Sequence, residues 1–311
     1  MRRRGVLAVL AGAAAAPWLC RPARAAGVPR IALVLKTLAN PYFVEMAAGA
    51  REQAARAGAD LMIRAAAQET SVDEQIDIVR ELTRSKVAAL VVTPADSVKL
   101  VPALKAAKDA GIVIVNVDNR LDRDFCLRAG LGEVPFISVD NVKAAYQSAA
   151  IIARTATVPT EAAIIEGIRS AANAQARKIG ALKAFAEVPG IRVVAMETGN
   201  WSGEAAFDIC RKIMAEHPGL GLLFCANDVM ALGAVRWLQS QNFRQVRVAG
   251  FDALPEAVQA VRQGMMTATV DQQASVQGGR AVELALTLLG GRPVPLETLI
   301  DVKVVTAGAA G

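Results

Sequence analysis

Short apolar runs alternate along this chain with longer amphipathic stretches. Ile31 to Leu35, Leu61 to Ile63, Val87 to Val92 and Ile112 to Val117 carry almost no polar residue, as expected of strands buried on both faces of a parallel sheet. Between them lie helix signatures. Asn40-Pro41 places an N-cap ahead of a proline for an alanine-rich helix to about Ala57. Ser71-x-x-Glu74 reads as a capping box for a helix with Ile76, Val79 and Leu82 on one face, and a further helix spans about Ser97 to Ala110. The rhythm breaks from Leu121 to Pro135 and then resumes. Helices at Lys143 to Ala153, Ala172 to Glu187, Gly203 to Glu216, from Asp228, Pro255 to Arg262 and Ser275 to Leu289 alternate with strands at Ala162 to Ile165, Ile191 to Met196, Leu220 to Cys225, Val246 to Ala249 and Met266 to Val270. Repeated β-α units with short connections predict an α/β fold of two doubly wound parallel-sheet lobes, with right-handed crossovers. The irregular stretch marks the expected junction.

The length of 311 residues suits two domains. The formal net charge of +6 raises the question of nucleic acid, and the location of the charges answers it. Residues 1–25 read as a signal peptide: Arg2, Arg3 and Arg4, then an apolar run from Gly5 to Ala16, then Ala23-Arg24-Ala25 as a cleavage site. The apolar run is too short to span a bilayer. Arg3-Arg4 followed by Gly-Val-Leu leaves general secretion and twin-arginine export both open. Without this segment thirty basic side chains face twenty-nine acidic ones, a net charge of +1. No basic run survives as a footprint for nucleic acid. The mature chain keeps Cys126, Cys210 and Cys225, an odd number without metal spacing.

In open α/β sheets ligands bind beyond the carboxyl ends of the strands. The polar and aromatic residues found there are Asn40, Tyr42 and Phe43 after the first strand, Thr93 after the third, and Asp118, Asn119 and Arg120 after the fourth. The second half adds Arg177, Trp201, Asn227, Asp252 and Gln272. Each also has a plainer explanation. Asn40, Asn227, Asp140 and Asp252 precede helices and could simply cap them. Tyr42 and Phe43 could be core, and Arg177 could lie on a solvated helix face. Their joint occurrence at successive strand ends favours a site.

That set of groups suits a polyhydroxylated neutral molecule. Carboxylates and amides pair with vicinal hydroxyls, an arginine fork donates to two oxygens, and aromatic rings cover C–H faces. Phosphate would need a glycine-rich loop at a helix N-terminus, and Gly130-Leu-Gly132 and Gly219-Leu-Gly221 sit in the wrong places. Catalysis finds little support. The single histidine, His217, reads as a helix end. No cofactor or metal is expected.

Four segments carry a resemblance: Ala32-Leu-Val-Leu-Lys-Thr-Leu-Ala-Asn-Pro-Tyr-Phe43, Val92-Thr-Pro-Ala-Asp-Ser97, Ala226-Asn-Asp-Val-Met-Ala-Leu-Gly-Ala234 and Val248-Ala-Gly-Phe-Asp252. From Arg30 to about Val305 the chain resembles periplasmic sugar-binding proteins of the ribose-binding type, the type I periplasmic binding proteins of ABC importers. The resemblance implies a monomer that captures a pentose, hexose or sugar alcohol and delivers it to an inner-membrane permease. It implies a three-crossover hinge, with an N-terminal lobe of residues 28–137 plus 273–300 and a C-terminal lobe of 138–272 plus 301–311. It also implies ligand contacts from Asn40, Tyr42, Phe43, Thr93, Asp118, Asn119, Arg177, Trp201, Asn227, Asp252 and Gln272. Thr93 and Asn119 depart from the ribose pattern, with Arg120 a substitute if the loop shifts. A chemoreceptor could read the same closed binder. Repressor-type effector domains share these segments; the signal peptide and the lack of a DNA-binding helix pair before Arg30 point to the exported binder.

Overall fold

The computed structural model describes residues 28–157 and 159–308, so the expected signal peptide lies outside the described residues. The first sheet is built from β1 (Arg30–Leu35), β2 (Asp60–Ala65), β3 (Ala89–Val92), β4 (Val113–Val117), β5 (Phe136–Ser138) and β11 (Glu297–Leu299). Its order is β11-β5-β4-β3-β1-β2, parallel throughout. The second contains β6 (Thr160–Glu166), β7 (Ile191–Thr198), β8 (Leu220–Cys225), β9 (Arg247–Ala249), β10 (Ala268–Asp271) and β12 (Lys303–Thr306), in the order β12-β10-β9-β8-β6-β7. Only β12 runs antiparallel to its neighbour there.

Both faces of the central strands are covered, which is why they carry no alternation. Ile31, Leu33 and Leu35 of β1 join one core, while Ala32 and Val34 join another on the opposite face. On the first sheet α1 (Pro41–Ala57) lies beside α10 (Ala274–Leu289), and α2 (Val72–Arg84) beside α3 (Val101–Asp109). On the second, α5 (Asn141–Ala153) lies beside α6 (Ala172–Ala186), and α7 (Gly203–Glu216) beside α8 (Asp228–Ser240), with α9 (Pro255–Arg262) against α8 and β10. Each sheet with its helices is a lobe. The chain passes between lobes three times: from β5 to α5, from β10 to α10, and from β11 to β12.

Two local expectations change. Leu121 to Pro135 is not the junction. It contains α4 (Arg123–Arg128), and Leu121, Cys126 and Leu131 are buried in the core of the first lobe. Its turn residues fold the segment onto that lobe, and the chain leaves only after β5. Nor is the capping box made. Ser71 makes no side-chain cap bond, and Glu74 instead accepts from the backbone N–H of Ala67 at 2.8 Å. That bond pins the loop after β2. Among the described residues no helix is long and apolar enough to cross a membrane.

Candidate ligand-binding site

A cavity of about 220 Å³ lies between the lobes. Its walls come from residues that follow strand ends in both sheets. Lys36 directly follows β1; Asn40 is the N-cap of α1, with Tyr42 and Phe43 in that helix's first turn; Glu69 follows β2 and Asp118 follows β4. The other lobe contributes Asn173 and Arg177 from α6, Trp201 after β7, Asn227 as the N-cap of α8, Asp252 after β9 and Gln272 after β10. Nine of the residues read from sequence therefore meet in one place.

The backbone is strained at three of these positions. Asp118, Trp201 and Asp252 have φ of 64°, 65° and 120°, a region costly for a side-chain-bearing residue and often found at functional sites. Trp201 also depends on Gly167, where an added Cβ would fall 2.1 Å from the indole ring. Glycine there lets the ring lie flat against the end of β6.

Two cations and three carboxylates line the cavity, and two of the carboxylates are each paired with a cation. Lys36 Nζ donates to Asp118 Oδ2 at 2.8 Å, with both side chains at most 3% exposed. Arg177 donates through Nε to Asn141 Oδ1 at 2.8 Å and through Nη1 to the carbonyl of Ala226 at 2.9 Å. Its Nη1 is 3.6 Å from Asp252 Oδ1, and its guanidinium lies 3.8 Å from the centre of the Phe251 ring. Gln272 Nε2 donates to the same Asp252 oxygen at 2.7 Å. Burial pushes the Asp252 carboxyl well above the usual carboxylate range, against the pull of Arg177. Burial likewise raises the Tyr42 phenol, which stays neutral. Removing one member of such a buried pair would strand the other, at a cost of about 3–5 kcal/mol.

Hydrogen bonds join the lobes at this site. Asn173 Nδ2 donates to Asp118 Oδ1 at 3.3 Å, and its backbone N–H to Asn119 Oδ1 at 3.2 Å. The backbone N–H of Ala172 donates to Ser97 Oγ at 3.1 Å, and that of Ser97 to the carbonyl of Ser170 at 3.4 Å. The conformation is closed. Yet Asn173 Oδ1, Trp201 Nε1 and Gln272 Oε1 are buried without a protein partner. Buried polar atoms are normally paired, so two acceptors and a donor on cavity-lining residues mark where a polar guest would bond.

Thr93 and Asn119 lie behind this lining rather than on it. Thr93 Oγ1 accepts from the backbone N–H of Lys36 at 3.2 Å, which fixes the turn that carries the lysine. Asn119 Nδ2 donates to the carbonyl of Pro94 at 3.0 Å and to Ser97 Oγ at 3.3 Å. Arg120 faces away, paired with Glu297 and stacked 4.0 Å from the Phe136 ring centre. Asn40 and Asn227 do cap their helices, accepting from the N–H of Tyr42 and Met230. They line the cavity as well, so the two explanations coexist. Asp252 caps nothing, since α9 begins after Leu254. His217 closes α7, with Nδ1 3.7 Å from Glu161. Sequence reasoning missed Lys36, Glu69 and Asn173, although all three obey the strand-end rule.

Two α/β lobes closing on a polar, charged cavity define a cleft-type solute binder. Residues 31–293 match the family model described as a periplasmic binding protein domain, and the chain belongs to that family. It is 39% identical over 269 residues to the D-ribose/D-allose-binding protein of Pseudomonas aeruginosa, covering 85% of this chain and 83% of the relative. It is 32% identical to the D-allose-binding periplasmic protein of Escherichia coli, covering 88% and 89%. Among solved structures, an ABC transporter periplasmic solute-binding protein of Actinobacillus succinogenes with bound D-allose superposes with a TM-score of 0.85. That match has 37% identity and covers 91% of this chain and 99% of the other.

Proposed function

We propose that this protein is the periplasmic solute-binding component of an ABC importer and that it captures a monosaccharide between its lobes. The observation that carries this reading is the cavity itself: closed between two lobes, lined by aromatic and charged side chains, with Asn173 Oδ1, Trp201 Nε1 and Gln272 Oε1 left unpartnered. In this reading Asp118 and Asp252 accept from hydroxyls, and Arg177, Asn173, Asn227 and Gln272 complete the polar rim. Tyr42, Phe43 and Trp201 cover the C–H faces. Thr93 and Asn119 position the lining. The relatives named above bind D-ribose or D-allose, so an aldopentose or aldohexose is the first candidate class.

The mechanism is capture without turnover. The ligand has differential affinity for the closed state, and hinge motion at the three crossovers converts binding into a shape that the permease reads. A chemoreceptor would read the same shape. The protein works as a monomer, exported by the segment before Ala26.

A thermal-shift and calorimetric screen of the chain from Ala26 onward tests the reading. D-ribose, D-allose, other pentoses and hexoses, and polyols are the ligands to offer. The expected hit binds near micromolar, about −8 kcal/mol, and at a hundred times its Kd stabilises the fold by roughly 2.7 kcal/mol. The sugar should be recovered unmodified after long incubation. Folded protein that responds to none of these sugars or polyols would refute the proposal, and conversion of the sugar would make it an enzyme.

A further inference from the structure

The inner cavity is not the only space at the mouth of the cleft. Beyond it lies an outer groove of about 980 Å³, between the loop after β2 and the start of α7, lined among others by Thr70, Asn200 and Val229. Asn40, Glu69 and Trp201 line both spaces. These three residues therefore stand between the inner cavity and the outer groove.

The members of the partition are not equivalent. Asn40 is committed to the N-terminus of α1, and Trp201 is bedded on Gly167 with its ring near both Lys36 and Arg177, 5.9 and 5.6 Å from the ring centre. Glu69 has no such duty. It is half-buried, and among the described residues its one hydrogen-bond partner is Asn40, whose Nδ2 donates to Oε1 at 2.9 Å. The second carboxylate oxygen has no hydrogen bond from the protein. The ionisable groups around it are Lys36, Asp118 and Arg177. Burial raises its pKa, against Lys36 and the Asn40 bond.

We propose that Glu69 is a specificity-determining residue: it accepts from one ligand hydroxyl and, by standing in the gap, excludes sugars substituted at that hydroxyl. The proposal rests on the monosaccharide reading. Without the carboxylate, the inner cavity opens into the outer groove, and a substituent on that one oxygen gains room. The rejected class is thus O-alkylated or glycosidically extended sugars.

The experiment compares D-allose and D-ribose with their mono-O-methyl ethers, one for each hydroxyl, by calorimetry on the unaltered protein and on Glu69→Ala, Glu69→Ser and Glu69→Gln. Melting curves of each variant establish folding, and Glu69→Ser provides a second opening should Glu69→Ala fail to fold. The unaltered protein should bind at least one parent sugar and reject every ether. Glu69→Ala and Glu69→Ser should lose about tenfold to a hundredfold for the parent, the size of a lost bond to a charged group. They should also gain tenfold or more, roughly 1.4 kcal/mol, for one ether alone. Glu69→Gln fills the gap and should still reject all ethers. Equal binding of every ether by the unaltered protein and the opened variants, or continued rejection of all of them by the opened variants, overturns the proposal while leaving the monosaccharide reading standing. Failure of both parent sugars to bind the unaltered protein refutes that reading, and this proposal with it.

Discussion

The two lobes repeat one strand order, so positions around the cavity have counterparts. β1, β3 and β4 of the first lobe correspond to β6, β8 and β9 of the second. In each lobe a cation from beyond the first of these strands meets an aspartate at the end of the last: Lys36 with Asp118, Arg177 with Asp252. Both aspartates sit at positive φ. The difference lies in their remaining partners. Asp252 is held by Gln272 and Arg177, from its own lobe and the hinge. Asp118 is completed by Asn173, which reaches across from the other lobe. One half-site is therefore assembled before closure, and the other is finished by closure.

The severest way to break this comparison is to remove the aspartates. In our reading, Asp118→Ala and Asp252→Ala each lose an acceptor and leave a buried cation unpaired, so sugar affinity should fall at least a hundredfold, about 3 kcal/mol or more. Calorimetry measures the loss, and circular dichroism should show both variants folded. Affinity within about threefold of the unaltered protein in both, less than 1.4 kcal/mol, would remove this cavity as the sugar site.

The preassembled half was the more legible in the sequence. Apolar runs such as Leu220 to Cys225 announce strands buried on both faces, because apolar packing surrounds them. Arg177, Trp201, Asn227, Asp252 and Gln272 all followed from the strand-end rule. The other half was read less well. Lys36 and Asp118 are 82 positions apart, and an ion pair at that separation leaves no local spacing signal. Asn173 is partnered across the cleft, a contact created by closure rather than by either lobe's own pattern. Strand ends also fix a loop without fixing which way each side chain turns. Asp118 points into the cavity while its neighbour Asn119 turns to Pro94 and Ser97.

Cutting the cross-cleft bonds sharpens the distinction with a smaller effect. Asn173→Ala should weaken sugar binding about tenfold, roughly one hydrogen bond to a charged group. Because Asn173 and Ser97 join the lobes, Asn173→Ala and Ser97→Ala should also shift the unliganded protein toward an open form, read as a larger radius by small-angle scattering. Gln272→Ala should weaken binding similarly but leave the unliganded radius unchanged.

Acidification contrasts the lobes without ligand. At the end of β8, burial pushes Asp228 up to about 6, despite bonds from Thr269 and the N–H of Leu254. Its counterpart beyond β3 is Asp96. Burial acts on Asp96 too, but the N–H groups of Lys99 and Val98 outweigh it and hold the carboxyl below its usual value. The signs are opposite. Between about 6 and 3.8, folded Asp228 binds a proton that the unfolded chain does not, so its contribution to stability rises as pH falls through that window. Asp96 stabilises above its unfolded value and loses that contribution only under more acid conditions. The melting temperature should therefore rise by a few degrees from pH 7 to pH 5, and Asp228→Asn should reduce the rise, the remainder coming from Asp252 and Glu69, whose carboxyls burial also raises.

The smallest effect belongs to Arg120, adjacent in sequence to Asp118 and Asn119. Were Arg120 to swing into the cavity as a donor fork, its loss would cost as much as that of Asn173. Its guanidinium instead pairs with Glu297 and lies on Phe136 at the outer edge of the first sheet, 40% exposed. Exposed pairs of this kind are worth about 0–1 kcal/mol. Arg120→Ala should leave sugar affinity within about twofold and lower the melting temperature by no more than a few degrees. A tenfold loss of affinity would show that the loop after β4 rearranges on binding, and that the first half-site is finished by its own arginine as well as by Asn173 from across the cleft.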